Sequence, residues 1–594
     1  MKVYRVPELS EDRIVMLRNE YPRPMMKRDK WWPLNGTWNF AFDDENVGIK
    51  QQWFNNPNFP LKIVVPFAFQ TKLSGIHDTS FHDYVWYHRK VKISKRDGHL
   101  YILHFQAVDY ECRIYINGLF IGSHMGGQAP FSFDITEYIE NAQLFDLVVY
   151  VFDPSTDLHL PRGKQYWKEK SESIWYTRTT GIYQSVWIEE VPDAYIKSFK
   201  FTPLYDQGMM EMSFDISRLF EHLQISIYDQ ETSCNETKVY VENHHVTVSI
   251  PIFKRKEDWK KKSWHPNNPY LFDVQLVYGQ DVVKTHFGMR KIATSNGQIF
   301  LNNQPLYLKM VLDQGYWPDG LLTPPSVEDL RKDIELAMNL GFNGARKHQK
   351  CEDSYYAYYA DKLGFIVWAE MASSVLFSEL SAKRDLNEWQ QIIPRDYNHP
   401  SIIAWVPLNE SWGVPQIRHD KRQQQHALDL YEYIKSQDQT RLVVGNDGWE
   451  QVKTDVCAIH HYRHGAKNDV EAQKKYANDL LNKENILASQ PADRPIYADG
   501  YKHQGEPILL TEFGGISFVI EDQGWGYTSV TNSDDFLNEY RRLIMAIKNS
   551  SAIAGYCYTQ LSDVEYEVNG LLTYNRQEKV PLEKIKDIND LINK

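Results

Sequence analysis

From about Ile292 to the C-terminus, eight short apolar runs alternate with amphipathic helical segments, and this alternation constrains the fold more than any other feature of the chain. The runs lie at 307–312, 343–347, 366–369, 402–408, 442–445, 456–460, 508–511 and 554–558. Helical patterns between and after them cover 327–340, 354–363, 416–436, 470–481, 534–548 and 582–592. The first opens on Ser326-Val327-Glu328-Asp329, a capping box, and closes on Gly341, which suits the left-handed residue after a helix. Eight β/α units in about 300 residues are what a (β/α)8 barrel requires.

The first half reads differently. Between about Trp31 and Pro192, short alternating runs such as Trp38-Asn39-Phe40-Ala41-Phe42 and Arg113-Ile114-Tyr115-Ile116 precede turn signals such as Asn117-Gly118, the pattern of antiparallel sheet. A second all-β stretch follows, with strands expected near 224–228, 246–250 and 271–278, in a length that suits an immunoglobulin-like β-sandwich. The expected division is 1–192, 193–291 and 292–594.

Composition narrows the function classes. Lys+Arg 66 against Asp+Glu 78 gives a net charge of −12, so nucleic acid is not an expected partner. No window offers the long uncharged run of a membrane span. The opening Met1-Lys2-Val3-Tyr4-Arg5-Val6-Pro7-Glu8 breaks any secretory apolar core, and the expectation is a cytoplasmic protein. Five widely spaced cysteines show neither a zinc nor a redox spacing and read as reduced, buried small hydrophobes. Aromatic residues reach 14%, with 17 Trp and 37 Tyr, which fits either ring faces at a carbohydrate or an aromatic sandwich core.

In a barrel of this kind the active site lies at the C-terminal strand ends, so the polar residues after each apolar run are the candidates. The fourth run ends in Asn409-Glu410-Ser411-Trp412 and the seventh in Glu512-Phe513-Gly514-Gly515. Carboxylates at the ends of strands four and seven can face each other across the mouth. One protonates a leaving oxygen while the other attacks the anomeric carbon or activates water, which is glycoside hydrolysis. Separations of about 5–5.5 Å mean retention and about 6.5–9.5 Å inversion, a distance that sequence does not supply. Asp313, Arg346 and His348, Glu370, the His460-His461-Tyr462 run, and Tyr558 with Gln560 end other strands. The first strand lacks the His-x-His of metal-dependent barrel hydrolases, so no metal and no cofactor is expected. There is no phosphate-binding Gly-Lys-Ser/Thr motif and no Gly-x-Ser-x-Gly elbow.

These residues together resemble glycoside hydrolase family 2, which contains β-galactosidases, β-glucuronidases and β-mannosidases. The likeness runs from about Trp31 to about residue 580. Leu34-Asn35-Gly36-Thr37-Trp38, Gly126-Gly127-Gln128-Ala129-Pro130-Phe131 and Thr180-Gly181-Ile182-Tyr183-Gln184-Ser185-Val186-Trp187 resemble its jelly-roll sugar-binding domain. Trp264-His265-Pro266 and Phe287-Gly288-Met289-Arg290 resemble the end of its immunoglobulin-like domain, and Gly341 to Arg346, Asn409-Glu410 and Thr511-Glu512-Phe513-Gly514 its catalytic barrel. The resemblance implies an N-terminal β jelly-roll sandwich, an immunoglobulin-like β-sandwich and a C-terminal (β/α)8 barrel. It implies Glu410 as acid/base and Glu512 as nucleophile of a retaining mechanism. Asn409 would bind the sugar 2-hydroxyl, Tyr462 would orient Glu512, and Arg346 would hold Glu512 ionised.

Three departures bear on the sugar. Family β-glucuronidases carry Asn-x-Lys shortly before the end of the barrel, where this chain has Glu567-Val568-Asn569-Gly570. The second strand continues Arg346-Lys347-His348-Gln349-Lys350, and the eighth reads Tyr556-Cys557-Tyr558-Thr559-Gln560 where a tryptophan is common. The expectation is therefore an exo-β-glycosidase of neutral sugars, β-galactosidase first, with β-mannosidase, α-L-arabinopyranosidase and β-glucuronidase behind it. Its partner would be a carbohydrate substrate, and it would be a dimer or tetramer of identical chains. The competing classes are a carbohydrate-binding protein without turnover and a metal-dependent hydrolase. The polar segment 466–504 has a length suited to a lid, a subunit contact or a surface excursion.

Overall fold

The computed structural model describes residues 18–518 and 524–592. The N-terminal residues read above for a leader lie outside the described residues. The first β region is a sandwich of two antiparallel sheets. Six strands pair in the order Leu61–Val65, Gly36–Phe42, Tyr84–Lys92, Leu144–Phe152, Glu111–Ile116, Leu119–Met125, and four in the order Trp31–Pro33, Val186–Pro192, His99–Phe105, Phe131–Asp134. Alternate residues of both sheets, among them Trp38, Phe40, Tyr87, Leu103, Ile114, Val149 and Ile188, meet in one core. Much of the aromatic excess sits here, as Phe40, Phe42, Phe69 and Tyr87 in edge-to-face contact.

The second region has seven strands in two main sheets, beside a short pair, Trp264–His265 with Asn268–Pro269. Ile196–Leu204, Met209–Ile216 and His245–Pro251 form one sheet; Thr232–Tyr240, His222–Asp229, Phe272–Tyr278 and Asp281–Phe287 form the other. Two sheets of three and four strands around an apolar core of Phe214, Ile225, Leu276 and Phe287 make an immunoglobulin-like sandwich.

Eight parallel strands follow: β1 (Leu308–Asp313), β2 (Gly344–Lys347), β3 (Ile366–Glu370), β4 (Ile402–Val406), β5 (Leu442–Val443), β6 (Cys457–His461), β7 (Ile508–Gly514) and β8 (Ile553–Thr559). Their order is β5-β4-β3-β2-β1-β8-β7-β6, and the Asp455 amide donating to the Val443 carbonyl at 2.8 Å links the two ends of the ring. Helices α1 (Val327–Asn339), α2 (Ser354–Leu363), α3 (Glu379–Asp396), α4 (Lys421–Gln437), α5 (Val470–Asp479), α6 (Lys483–Ala488), α7 (Ser533–Asn549) and α8 (Leu582–Asn589) surround it. The capping box of α1 is present, with Asp329 accepting from the Ser326 amide at 3.0 Å. Segment 466–504 is part of the helix layer: it carries α5 and α6, whose Tyr476, Leu480 and Ile486 are buried against the barrel. The sequence pattern missed α3, where polar residues and Pro394 mask the buried stripe of Trp389, Ile392 and Ile393.

Strand parity sorts the side chains. Leu308, Met310 and Leu312 of β1 point into the barrel with Trp368, Ala404, Val406, Ala458, Leu509 and Cys557, and the meander Ile292–Ser295, Gln298–Leu301, Gln304–Leu306 plugs the bottom with Ile292, Ile299 and Leu301. The intervening residues Val311, Ala345, Val367, Trp405, Ile459, Leu510, Tyr556 and Tyr558 face the helices. The interior is thus filled by side chains, leaving the upper mouth for chemistry. No helix among the described residues is long and apolar enough to cross a membrane.

Candidate active site

Arg346 organises the mouth. It is the third residue of β2, inward by parity, and fully buried. Its Nη1 lies 2.9 Å from Glu512 Oε1 and its Nε 2.7 Å from Glu370 Oε2 and 3.3 Å from Asp447 Oδ2, while Nη2 donates to the Asn409 side-chain oxygen. One guanidinium fork thereby fixes groups from β3, β7 and the loops after β4 and β5.

Glu512 is aimed by a break in register. His460 of β6 is paired with Glu512 of β7 immediately after an irregularity at Ile459, and β7 shifts again against β8 between Leu510 and Phe513. In a regular strand Thr511 and Glu512 would face opposite sides; the bulge turns both inward. Thr511 donates to Asp447, and Tyr462 donates to Glu512 Oε2 at 2.6 Å. Tyr462 is held in turn by Thr559 at 2.7 Å and by a face-to-face stack on Tyr527. Gly514, at φ +88°, is required here, because a Cβ would stand 2.3 Å from the Tyr558 ring.

Glu410 is placed by backbone strain. Glu410 and Ser411 both occupy the left-handed region, φ +52° and +61°, which side-chain-bearing residues rarely adopt. The loop after β5 holds them there: the Glu410 amide donates to the Asp447 carbonyl at 2.8 Å, the Ser411 amide to Asn446 Oδ1 at 3.0 Å, and the Ser411 hydroxyl to Glu450 at 2.8 Å.

His460 bridges the two acids. Its Nδ1 is 2.8 Å from Glu410 Oε1 and 3.5 Å from Glu512 Oε2, and its Nε2 is 2.9 Å from Asp447 Oδ1. Gly448 leaves room for the ring, since a Cβ there would approach Nδ1 to 2.8 Å. Carboxylate oxygens of Glu410 and Glu512 and a nitrogen of His460 all lie within 4.8 Å of one another. These three are the residues that would hold a cation, but Arg346 and His460 already supply the positive charge that draws the carboxylates together.

Charge follows from this packing. Burial alone would raise the Glu512 carboxyl, but the His460 imidazolium and Arg346 outweigh it and hold it at about 2. Burial would likewise lower His460, and Glu512, Asp447 and Glu410 push it up to about 10. Asp447 stays at about 2 against its burial because of Arg346 and His460, whereas burial prevails at Glu370 and carries it to about 7. His348, 3.1 Å from Glu370, is driven well below its ordinary value by burial and Arg346, and is neutral. Burial, with Glu512 adding to it, keeps the Tyr462 phenol protonated and able to donate. The Asn409 amide nitrogen is buried without a partner, a donor left free at the mouth.

The structure brings Glu410, Glu512, Asn409, Tyr462, Arg346 and His348 together. Asp313 and Tyr558 are not among them. Asp313 follows inward-facing Leu312 and so faces outward, 2.7 Å from Lys347 Nζ; Tyr558 follows inward-facing Cys557 and packs on Tyr540 of α7. The alternation of apolar residues carried that parity and would have excluded both. Asp447 was missed because it lies two residues beyond the short fifth run, and Thr511 because it was read as the last residue of the seventh run rather than as a site residue, although parity from inward Leu509 points it into the mouth. A further wall comes from the first β region: Trp175 stacks on Trp412 with centroids 4.6 Å apart, and Tyr176 donates to Glu567.

Comparison with known proteins meets this geometry. Residues 292–594 match the model "Glycosyl hydrolases family 2, TIM barrel domain", and residues 32–192 match "Glycosyl hydrolases family 2, sugar binding domain". The chain belongs to glycosyl hydrolase family 2. It is 22% identical to a β-glucuronidase of Streptococcus agalactiae over 95% of this chain and 96% of that one. It is 25% identical to a β-galactosidase of Thermoanaerobacter pseudethanolicus over 67% of this chain, a match spanning only 52% of that protein. A β-glucuronidase from Ruminococcus gnavus in complex with D-glucaro-d-lactam shares the fold at TM-score 0.77 and 19% identity, covering 96% of this chain and 99% of that one. Within the family-2 framework the Gly126-Gly127-Gln128 motif has a packing role: the Gln128 amide lies 3.2 Å from Glu388 of α3, seating the first β region on the barrel.

Proposed function

We propose that this family-2 protein is a retaining exo-acting β-glycosidase in which Glu512 is the nucleophile and Glu410 the acid/base. The observation that carries the reading is the pair of carboxylates with oxygens within 4.8 Å, one of them held ionised by Arg346 and His460. That separation falls on the short side, where retaining enzymes lie, rather than in the wider inverting range, and supports a covalent glycosyl-enzyme. Glu512 attacks the anomeric carbon as Glu410 protonates the departing oxygen. Glu410 then takes a proton from the water that releases the sugar. Asn409 Nδ2 donates to the 2-hydroxyl, a bond that strengthens as positive charge develops at the ring.

For the terminal sugar, β-galactoside is the first reading, on the missing lysine at Glu567-Val568-Asn569-Gly570. β-Glucuronide is the second, supported by the names of the Streptococcus and Ruminococcus relatives; β-mannoside and α-L-arabinopyranoside stand behind both. The barrel, from about residue 292, does the chemistry, and the β region before residue 192 supplies a wall of the mouth. Exposed Leu119, Phe120 and Met125 on an edge strand support self-association into a dimer or tetramer, which light scattering tests. Unpaired cysteines support a cytoplasmic setting.

The test is Glu512→Ala assayed on p-nitrophenyl β-glycosides. Turnover falls by several orders of magnitude and is partly restored by azide, with an inverted product. A Glu512→Ala protein with near wild-type turnover overturns the assignment.

A further inference from the structure

Four lysines are buried among the described residues: Lys164, Lys347, Lys350 and Lys579. Three have carboxylate partners: Lys347 lies 2.7 Å from Asp313, Lys350 3.1 Å from Glu352 and Lys579 2.6 Å from Asp563. Lys164 is 6% exposed and makes neither an ion pair nor a side-chain hydrogen bond. The Lys164 stem is packed in while its ammonium has no anionic partner, so an anion bound at this wall would be its first direct counter-ion.

Lys164 belongs to the first β region, yet it stands in the wall of the barrel mouth. The Gly163 amide donates to the Ser373 carbonyl at 3.0 Å, pinning this loop beyond the end of β3. Lys164 Nζ lies 5.4 Å from the Trp412 ring, two residues past Glu410, and 5.9 Å from the ring of Tyr176. The nearby Glu567 carboxylate is taken up by the Tyr176 hydroxyl and by Asn569 Nδ2 at 3.0 Å, not by Lys164. The ammonium also reaches the sugar site electrostatically: burial and Arg346 dominate at His348, and Lys164 adds to the same lowering.

We propose that Lys164 is a specificity residue that receives an anionic group of the substrate, a carboxylate or a sulfate ester, at the catalytic mouth. It supplies from the N-terminal β region the cation that Glu567-Val568-Asn569-Gly570 lacks. This inference rests on the glycosidase reading and moves the acidic sugar ahead of the neutral one.

The experiment compares kcat/KM within matched pairs of p-nitrophenyl glycosides: β-D-glucuronide against β-D-glucoside, β-D-galacturonide against β-D-galactoside, and 6-sulfo-β-D-galactoside against its parent. A charge-assisted hydrogen bond corresponds to about 10- to 100-fold preference for the charged member. Lys164→Met collapses that ratio toward one, and Lys164→Arg keeps most of it, each variant being checked for an unchanged melting temperature. Preference in the uronide pairs alone identifies a carboxylate, and in the sulfated pair alone a sulfate. Preference for the neutral members, or a ratio that survives Lys164→Met, overturns the proposal. If no aryl glycoside of either kind is cleaved, the glycosidase reading has failed, and calorimetry with D-glucuronate and D-glucose then reads Lys164 by itself: tighter, Lys164-dependent binding of the acid supports it, and equal binding overturns it.

Discussion

Replacing His460 with glutamine removes a positive charge from between Glu410 and Glu512 while keeping a polar side chain of similar reach. The imidazole Nδ1 is 3.5 Å from Glu512 Oε2. At an effective dielectric near 20, opposite charges about 4 Å apart attract by about 4 kcal/mol, an upper limit of about three pKa units. Arg346 at 2.9 Å and Tyr462 at 2.6 Å remain, so a rise of about one to three units is expected. Glu512 then moves from about 2 into roughly the 3–5 range. Only its ionised form attacks, so the acid limb of kcat/KM moves upward in pH. The assay is kcat/KM between pH 3 and 8 on a 2,4-dinitrophenyl β-glycoside, whose leaving group needs no protonation and so isolates the nucleophile. The wild type stays level down to about pH 3, and the variant bends between about pH 3 and 5. Tryptophan fluorescence at each pH confirms the fold. A folded His460→Gln enzyme whose acid limb coincides with that of the wild type would falsify the electrostatic account of Glu512.

Glu410→Ala separates the two halves of the reaction: kcat/KM falls by about 100- to 10,000-fold for poor leaving groups and much less for 2,4-dinitrophenolate, and equal losses on both would remove Glu410 from the acid role. Arg346→Met leaves Glu370, Asp447 and Glu512 crowded without their shared cation, so urea unfolding is expected to show a loss of about 3–5 kcal/mol. A stability within about 1 kcal/mol of the wild type would show that the surrounding carboxylates tolerate its removal.

Much of the architecture was legible as pattern. The eight apolar runs alternating with helical segments marked the barrel, and a seven-strand immunoglobulin-like sandwich occupies the region where alternating runs were expected. Glu410, Glu512, Asn409, Tyr462 and Arg346, where strand-end position and motif agree, lie together at the mouth. Asp313 and Tyr558 were included because strand-end position alone ignores side-chain parity, and the apolar residues beside them reveal which way they point.

What sequence by itself determined is therefore the barrel strands, most of the helices and the residues that follow the strands, since periodicity and capping are local properties of the chain. Tertiary structure alone decided the rest. The bulge at Leu510–Phe513 turns Thr511 and Glu512 to the same side, and the left-handed pair Glu410 and Ser411 is held by Asn446, Asp447 and Glu450 from another loop. Lys164 arrives at the mouth from 246 residues before Glu410. Spacing between acids, the charge on His460 and the absence of a counter-ion at Lys164 all depend on groups brought together through space, and interactions of that kind leave no period in a sequence.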